Sequence, residues 1–514
     1  MSKVAKVTAG LMVATAMAKV LGFIRELVLA SSYGASMYSD AYITAMNVPL
    51  VIFTIIGTTL GTVLIPVYFE VNKNLGGKKA LKFINNVCNI VIIMCILLAA
   101  LGFVYTEQLV KLFAIGFKGK TLKIAIDFTR ITIIGIVFTG LSYIMTTYLQ
   151  IKNNFMVPGL ISVPKNIIII CSMILSVKYS PYIMIWGTLL GMASEFLFQL
   201  PFAIKNGYKY KLYINIKDKY IKKISLMIGP VLIGVAVNQM NTMIDRTLAS
   251  TLTEGSVSAL NYANKLNGFV MALFITSVAS VIYPMLSKLS SEYNKDKFIE
   301  SVIQSINSVI LLVTPISVGA MVLATPIVKI LFQRGEFDDK AVKMTAIALI
   351  MYSIGMVAFG LRDILGKVFY SLQDTKTPMI NGAMAMIMNM VLNIVLVKYL
   401  QLAGLALATS ISAIICILLL FRSLKKKIEY FGQDKIIKTT MKAIVSAAFM
   451  GFITNFAYDT ISNILDGGFI QEIASLSLSI TIGVIIYIVL IVIFKVNETE
   501  IILNGIKSKL NRVV

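Results

Sequence analysis

Residues 84–105 read INNVCNIVIIMCILLAALGFVY, a stretch without a single Asp, Glu, Lys or Arg. A helix rises about 1.5 Å per residue, so about 20 apolar residues cross the hydrocarbon layer of a bilayer. Inside that layer a backbone satisfies its own polar groups most simply as a helix. Reading outward from this run, comparable apolar runs fall at roughly 7–32, 41–69, 124–150, 157–177, 181–203, 222–250, 258–287, 303–325, 342–371, 378–400, 402–423, 440–462 and 470–494. The expectation is an all-α integral membrane protein of about fourteen transmembrane helices. Composition agrees, with 58% hydrophobic and only 14% charged residues in 514 and a mean hydropathy of +0.85, which leaves no room for a large soluble domain. The first run follows Lys3 and Lys6, but it is long, carries Lys19 and Arg25, and lacks a small-residue cleavage site. It reads as a retained helix rather than a signal peptide.

Several kinds of chemistry drop out at this stage. The chain has no histidine, which removes imidazole acid–base catalysis, Ser-His triads and the commonest transition-metal ligand. Cys88, Cys95, Cys171 and Cys416 all fall inside apolar runs with no CxxC pairing, so neither a disulfide framework nor a zinc site is suggested. They read as packing or lipid-facing residues. A net charge of +23 would point a soluble protein toward nucleic acid, but here the lysines gather between apolar runs, and membrane topology is the simpler explanation. With a cytoplasmic N-terminus, the cytoplasmic connections carry Lys73, Lys78, Lys79 and Lys82, then Lys205 to Lys223, then Arg422 to Lys427. The opposite connections Ser32–Ser39 and Thr251–Ser256 carry no Lys or Arg. The positive-inside bias therefore puts both termini in the cytoplasm. Lys111, Lys118, Lys120 and Lys123 on the third connection run against it.

The chain repeats itself weakly. Leu29-Ala30-Ser31 before Gly34 returns as Leu248-Ala249-Ser250 before Gly255, Ile65-Pro66 as Tyr283-Pro284, and Tyr148-Leu149-Gln150 echoes Tyr370-Ser371-Leu372-Gln373. Parallel repeats of six spans imply two lobes related by a pseudo-twofold axis along the membrane normal, as in two-lobe carriers. The expected division is a lobe over 1–215, a lobe over 216–430, and two appended helices over 431–514.

An ionisable side chain at mid-bilayer costs about 2.5–3.5 kcal/mol on insertion scales, so it faces protein or water and is a functional candidate. Lys19, Gly22 and Glu26 share a face of the first helix, with Arg25 one turn beyond Gly22, and Asp40 opens the second span. In the corresponding region of the second half stand Asp245, Arg246 and Lys265. One reading is a cationic cavity between the lobes, in which Lys19, Arg25 and Lys265 bind a phosphate or pyrophosphate headgroup. The other is that pairs such as Arg25 with Asp40 simply latch helices together. Glu195 and the Arg362–Asp363 pair read as structural pairing or interface snorkelling. Asn389, Asn393 and Thr409, with Asn238, Asn241 and Asp245 on the seventh span, could offer oxygens to a hard cation or act as interhelical hydrogen-bond glue.

Four motifs carry a family resemblance. Lys19-Val20-Leu21-Gly22-Phe23-Ile24-Arg25-Glu26, then Tyr33-Gly34-Ala35 with Asp40, then Leu331-Phe332-Gln333-Arg334-Gly335-Glu336-Phe337, and finally Phe369-Tyr370-Ser371-Leu372-Gln373-Asp374-Thr375-Lys376-Thr377-Pro378 stand in order. Together they resemble the MurJ (MviN) lipid II flippases of the multidrug/oligosaccharidyl-lipid/polysaccharide exporter superfamily, over nearly the whole chain. The resemblance implies export of lipid II, the undecaprenyl-pyrophosphate-linked peptidoglycan precursor, across the bacterial cytoplasmic membrane by alternating access. It implies cavity cations at Lys19, Arg25 and Lys265, acidic partners at Glu26 and Asp40, a polyprenyl-tail groove at the last two helices, and a sodium site near Asn238, Asn389, Asn393 and Thr409. The sequence departs from the family in three places. No charge remains in 47–58 where the family carries Arg-Arg and then Glu; two cavity arginines are lysines here, which lose the bidentate fork; and amides stand where sodium-site carboxylates are expected.

The expected partners are lipid II and membrane lipids, with peptidoglycan-synthesis enzymes as candidates and no nucleic acid, and the chain is expected to be a monomer and not an enzyme. No cofactor is expected beyond a coupling sodium ion, and the membrane potential is the candidate driving force. Rival readings are an exporter of another polyprenyl-linked glycan or of cationic drugs, a membrane glycosyltransferase, and a non-transporting scaffold. A drug exporter calls for an acidic cavity, and a glycosyltransferase for acid–base carboxylates in sizeable outer loops. The outer loops here are short.

Overall fold

The computed structural model describes residues 3–292, 294–465 and 468–496. All its regular elements are helices: α1 (Lys3–Tyr33), α2 (Met37–Leu75), α3 (Gly77–Val104), α4 (Thr106–Phe113), α5 (Gly119–Ile151), α6 (Met156–Leu160), α7 (Ser162–Lys178), α8 (Pro181–Lys205) and α9 (Lys219–Ala249) in the first half. The second half continues with α10 (Ser256–Val270), a π-helical turn at Met271–Ile275, α11 (Thr276–Ser291), α12 (Lys295–Val322), α13 (Ala324–Phe332), α14 (Asp339–Ile354), α15 (Met356–Ser371), α16 (Lys376–Ile428), α17 (Gln433–Ile464) and α18 (Phe469–Ile493). Each of the fourteen expected apolar ranges falls on helix. Among the described residues eight helices are long and apolar enough to cross a membrane, or nine if α14 and α15, bent by 44°, form one broken span.

Local chemistry accounts for the helix ends. Ser36 and Ser39 form a reciprocal capping box at the start of α2, and the Ser180 and Asp218 side chains accept from the N–H groups of Tyr182 and Tyr220 at the starts of α8 and α9, satisfying donors that have no intrahelical partner. The long α16 is two helices meeting at Gln401, whose φ of 49° is non-helical. That break sits between the two apolar runs expected there.

Two compact units are seen, one of Met1–Ser258 with Arg334–Asp338, the other of Ala259–Gln333 with Asp339–Val514. The first unit closes later along the chain than residue 215 because α9 packs against α2. In it α5 lies against α2, α3 and α8, and α7 joins α1 to α8; Leu64, Ile84, Ile133, Ile136 and Tyr148 are buried in this core. In the second unit α12 is flanked by α15 and α17, and α18 packs on α17, around Ile306, Val309, Val313, Leu365 and Phe369. Cys88, Cys95 and Cys416 are buried, Cys171 is exposed, and all four are free thiols.

Candidate functional site

Within the first unit the side chain of Arg25 comes off α1 and makes two contacts. One Nη donates to Glu26 Oε1 at 2.7 Å, the other to Asn166 Oδ1 on α7 at 3.2 Å. Asn166 is itself anchored, its Nδ2 donating to the Ser162 carbonyl at 2.8 Å. Gly22 faces the same amide, and a Cβ there would sit 4.0 Å from it, in ordinary contact. One residue before Asn166, Lys165 reaches across to Glu195 on α8 at 3.1 Å. Tyr42 and Glu195 also lie within electrostatic reach of Arg25, and Tyr42 is held by Thr188 at 3.1 Å. Two cations and two carboxylates are thus gathered by α1, α7 and α8. A buried charge keeps its ionised form only when it is answered in this way.

The Arg25 guanidinium commits two of its five N–H donors to these contacts, and its planar fork suits a phosphate oxygen pair. Lys19, on the same helix, is exposed.

Asp40 belongs to a different arrangement. It is 3% exposed, and its carboxylate accepts from the backbone N–H of Gly255 and of Ser258, both at 2.8 Å, and from the Ser258 hydroxyl. It caps the start of α10 instead of pairing with Arg25, so the latch weighed for those two residues is not the one formed. Neighbouring contacts close the same end: Met37 N–H donates to Glu254 at 2.8 Å, and Glu336 N–H to the Ser31 carbonyl at 3.0 Å. The two repeated glycines are both required here. Gly34 has φ +58° and Gly255 φ +88°, and a Cβ on either would run into a carbonyl, of Glu336 and of Ala35 respectively. Only glycine adopts that backbone without penalty.

In the second unit Lys265 is exposed on α10. Asn393 donates to Asn389 Oδ1 at 3.1 Å, Asn389 to Thr409 Oγ1 at 3.5 Å, and Thr409 to the Leu405 carbonyl at 3.1 Å. The side chain of Asn238 lies outside the described residues. A hard cation asks for several oxygens, usually with carboxylate charge among them; here Asn389 Oδ1 and Thr409 Oγ1 each accept a hydrogen bond from an amide, and none of the three side chains is a carboxylate. Among the described residues no group of three His, Cys, Asp or Glu could hold a metal. Asn389, Asn393 and Thr409 thus supply neutral oxygens only.

The second unit also holds an apolar cavity of about 920 Å³. Leu266 and Phe269 of α10, Leu311 and Pro315 of α12, Met450 of α17 and Tyr487 of α18 line it, and the Tyr487 hydroxyl is bonded to the Leu311 carbonyl at 2.9 Å. Sequence reasoning overlooked Lys165 and Asn166. Their signal was a lysine and an amide inside the run 157–177.

The family model described as "Lipid II flippase MurJ" matches residues 29–473. The chain belongs to the MurJ family. Among MurJ relatives, "Probable lipid II flippase MurJ" of Vibrio cholerae is 30% identical over 501 residues, 95% of each chain. "Lipid II flippase MurJ" of Burkholderia cenocepacia is 28% identical, covering 80% of this chain and 82% of its own. A solved structure, "Lipid II flippase MurJ, inward closed conformation", superposes with a TM-score of 0.80 at 27% identity, covering 94% of this chain and 98% of that one. The fold is shared more widely: an inward-facing multidrug-resistance MATE family transporter of the MOP superfamily gives a TM-score of 0.67 at 15% identity, over 81% of this chain and 96% of that one.

Proposed function

We propose that this chain exports lipid II from the inner to the outer leaflet of the bacterial cytoplasmic membrane by alternating access, for cell-wall synthesis, with both termini in the cytoplasm. The observation that carries the reading is end-to-end similarity to a Vibrio cholerae protein named as a probable lipid II flippase. The Arg25 cluster supports it chemically. Arg25 and Lys19 from the first half and Lys265 from the second engage the pyrophosphate, and Glu26 with Asn166 keeps the Arg25 fork oriented while the cavity is empty. Asp40 acts one step away, through the α10 start that it caps. The polyprenyl tail takes the apolar cavity walled by α17 and α18. In this reading 1–215 and 216–430 are the two six-helix lobes and 431–514 the appended pair, working as a monomer. No bond is made or broken. Peptidoglycan-synthesis enzymes are the consumers of the exported lipid.

An inside-negative potential contributes about 2.3 kcal/mol per charge per 100 mV, which favours an anion leaving and an empty cationic site returning. No coupling ion is then required. An ionophore that collapses the potential should slow export, and an unchanged rate removes this driving force.

The deciding experiment measures lipid II export in cells depleted of other flippases, scored by cleavage with an added lipid II hydrolase. The wild-type chain should export, Arg25→Ala should be made but fail, and Arg25→Lys should keep part of the activity, having the charge without the fork. A wild-type chain that does not export lipid II moves the assignment to another polyprenyl-linked glycan.

A further inference from the structure

The connection between α8 and α9 is more than a linker. Residues 209–215 run without regular secondary structure along α3 and end in a turn at 216–217, held by three buried asparagines in the third and fourth turns of α3. Asn85 Nδ2 donates to the Lys209 carbonyl at 2.9 Å, and Asn89 Nδ2 to the carbonyls of Lys211 and Tyr213 at 3.1 Å each. Asn86 donates to the Asn215 carbonyl at 2.9 Å and accepts from its N–H at 2.7 Å. The Lys82 ammonium lies 4.0 Å over the Tyr213 ring. Tyr213 is therefore turned toward α3, and Asn215 Nδ2 donates to its hydroxyl at 3.3 Å. The alternate residues face outward: Leu212, Ile214 and Ile216 are 78%, 45% and 73% exposed.

Irregular backbone is excluded from a lipid boundary where its polar groups lack partners. Here α3 supplies partners to the carbonyls of Lys209, Lys211, Tyr213 and Asn215 and to the Asn215 N–H, through side chains that are amides in an apolar run. What the segment then presents is a row of three aliphatic side chains. Lys205, Lys209, Lys211, Lys217, Lys219 and Lys222 flank it, all in 205–223, where Asp218 is the lone acid; that carboxylate is already capping α9 through Tyr220 N–H at 2.8 Å. Apolar side chains bordered by lysines match an anionic bilayer surface, aliphatic groups dipping below the headgroups and ammonium groups remaining among the phosphates. Further along α3, Ile93, Met94, Ile96 and Leu97 are exposed as well.

We propose that residues 209–217 form an interfacial strap whose Leu212, Ile214 and Ile216 insert into the bilayer surface while its lysines bind anionic phospholipid headgroups. The strap would hold the ends of α8 and α9 at the headgroup level. This inference needs neither the transport reading nor the assigned sidedness.

The test uses the full chain with Cys171→Ser to remove the exposed thiol, a nitroxide on Leu212→Cys, Ile216→Cys or Lys211→Cys, and bilayers of phosphatidylcholine with or without phosphatidylglycerol. Labels at 212 and 216 should be more accessible to oxygen than to a water-soluble nickel chelate, with the order reversed at 211, and phosphatidylglycerol should sharpen the contrast. Each lysine near an anionic surface is worth about fivefold. Replacing Lys209, Lys211 and Lys217 together by Gln should therefore reduce the phosphatidylglycerol preference by about a hundredfold at low salt. Equal water access at all three labels overturns the strap, and a contrast indifferent to lipid charge and to the triple substitution overturns its headgroup specificity. Labels that become dry only in native membrane vesicles, not in bilayers of the purified chain, would mean that a protein partner covers this face, which also defeats the proposal.

Discussion

Asp40 in the first unit and Asn393 in the second are buried to the same degree, 3% and 0% exposed, yet they solve the burial problem in opposite ways. Asp40 brings a full charge inside and needs three donors, two of them backbone N–H groups of a helix start, to keep it there. Asn393 brings only a dipole, whose donor end is answered by Asn389 on the same helix. The pattern extends beyond the two residues. The first unit carries Arg25, Glu26 and Glu195 inside its helix bundle with assigned partners, whereas in the second unit Lys265, Arg362 and Asp363 are exposed. Buried charge is costly and therefore directional. A unit that holds it must be organised around it, while a unit glued by amides tolerates rearrangement at small cost.

The largest effect that would break this contrast is at Asp40. Asp40→Ala strands two backbone donors and a hydroxyl at the start of α10, and hydrogen bonds to a charged acceptor contribute about 1.5–3 kcal/mol each. We expect a loss of about 3 kcal/mol or more in unfolding measurements on the detergent-solubilised chain. Asp40→Asn retains one acceptor oxygen and should lose roughly half as much. If Asp40→Ala costs no more than a substitution at Asn393, the two units do not differ in the way argued.

A smaller effect sharpens the other side of the comparison. Asn393→Leu removes the donor to Asn389 and should cost about 0.6–1.7 kcal/mol, the range of interhelical polar contacts in membranes. A double-mutant cycle with Asn389→Leu isolates their coupling at roughly 0.6 kcal/mol. The same melting curves should be alike in sodium and potassium. Stabilisation specific to sodium, lost in Asn389→Leu, would return these amides and Thr409 to the role of cation ligands.

The contrast also explains what could be read without coordinates. Membrane helices declare themselves locally: an apolar run is its own evidence, and even the break at Gln401 lies where one run ends and the next begins. The charged positions on α1 were legible for the same reason, since Arg25 inside an apolar run is conspicuous. Their partners were not. Asn166 lies 141 residues from Arg25 and Gly255 lies 215 from Asp40, and no periodicity links positions so far apart. The repeat did single out Gly255 as the counterpart of Gly34, but it could not reveal that its N–H would serve the other half's carboxylate. Asn85, Asn86 and Asn89 passed unnoticed because an apolar run absorbs a few amides without losing its character. Only the strap bonded to them makes them visible.

The smallest expected effect concerns charge at the rim of the second unit. Asp374, in the connection before α16, accepts from Lys427 at 2.7 Å and from the Thr377 N–H and hydroxyl at 3.0 and 2.8 Å. The Lys427 bond, then the backbone bond from Thr377, holds its carboxyl down to about 2. A folded value below the unfolded value of about 3.9 means that the stabilisation is fully present above the unfolded pKa and is lost as pH falls through about 2. Lys427 is 37% exposed, so water and salt screen the pair and its worth is about 1 kcal/mol at most. Between about pH 4 and pH 2 the wild-type chain should lose this increment while Asp374→Asn does not, so the two melting curves converge on acidification. High salt at neutral pH should shrink the difference as well, as it would not for Asp40 buried among its donors. An Asp374→Asn penalty as large as that of Asp40→Ala, and insensitive to salt, would mean that the second unit too is organised around a charge, and the distinction between the units would have to be given up.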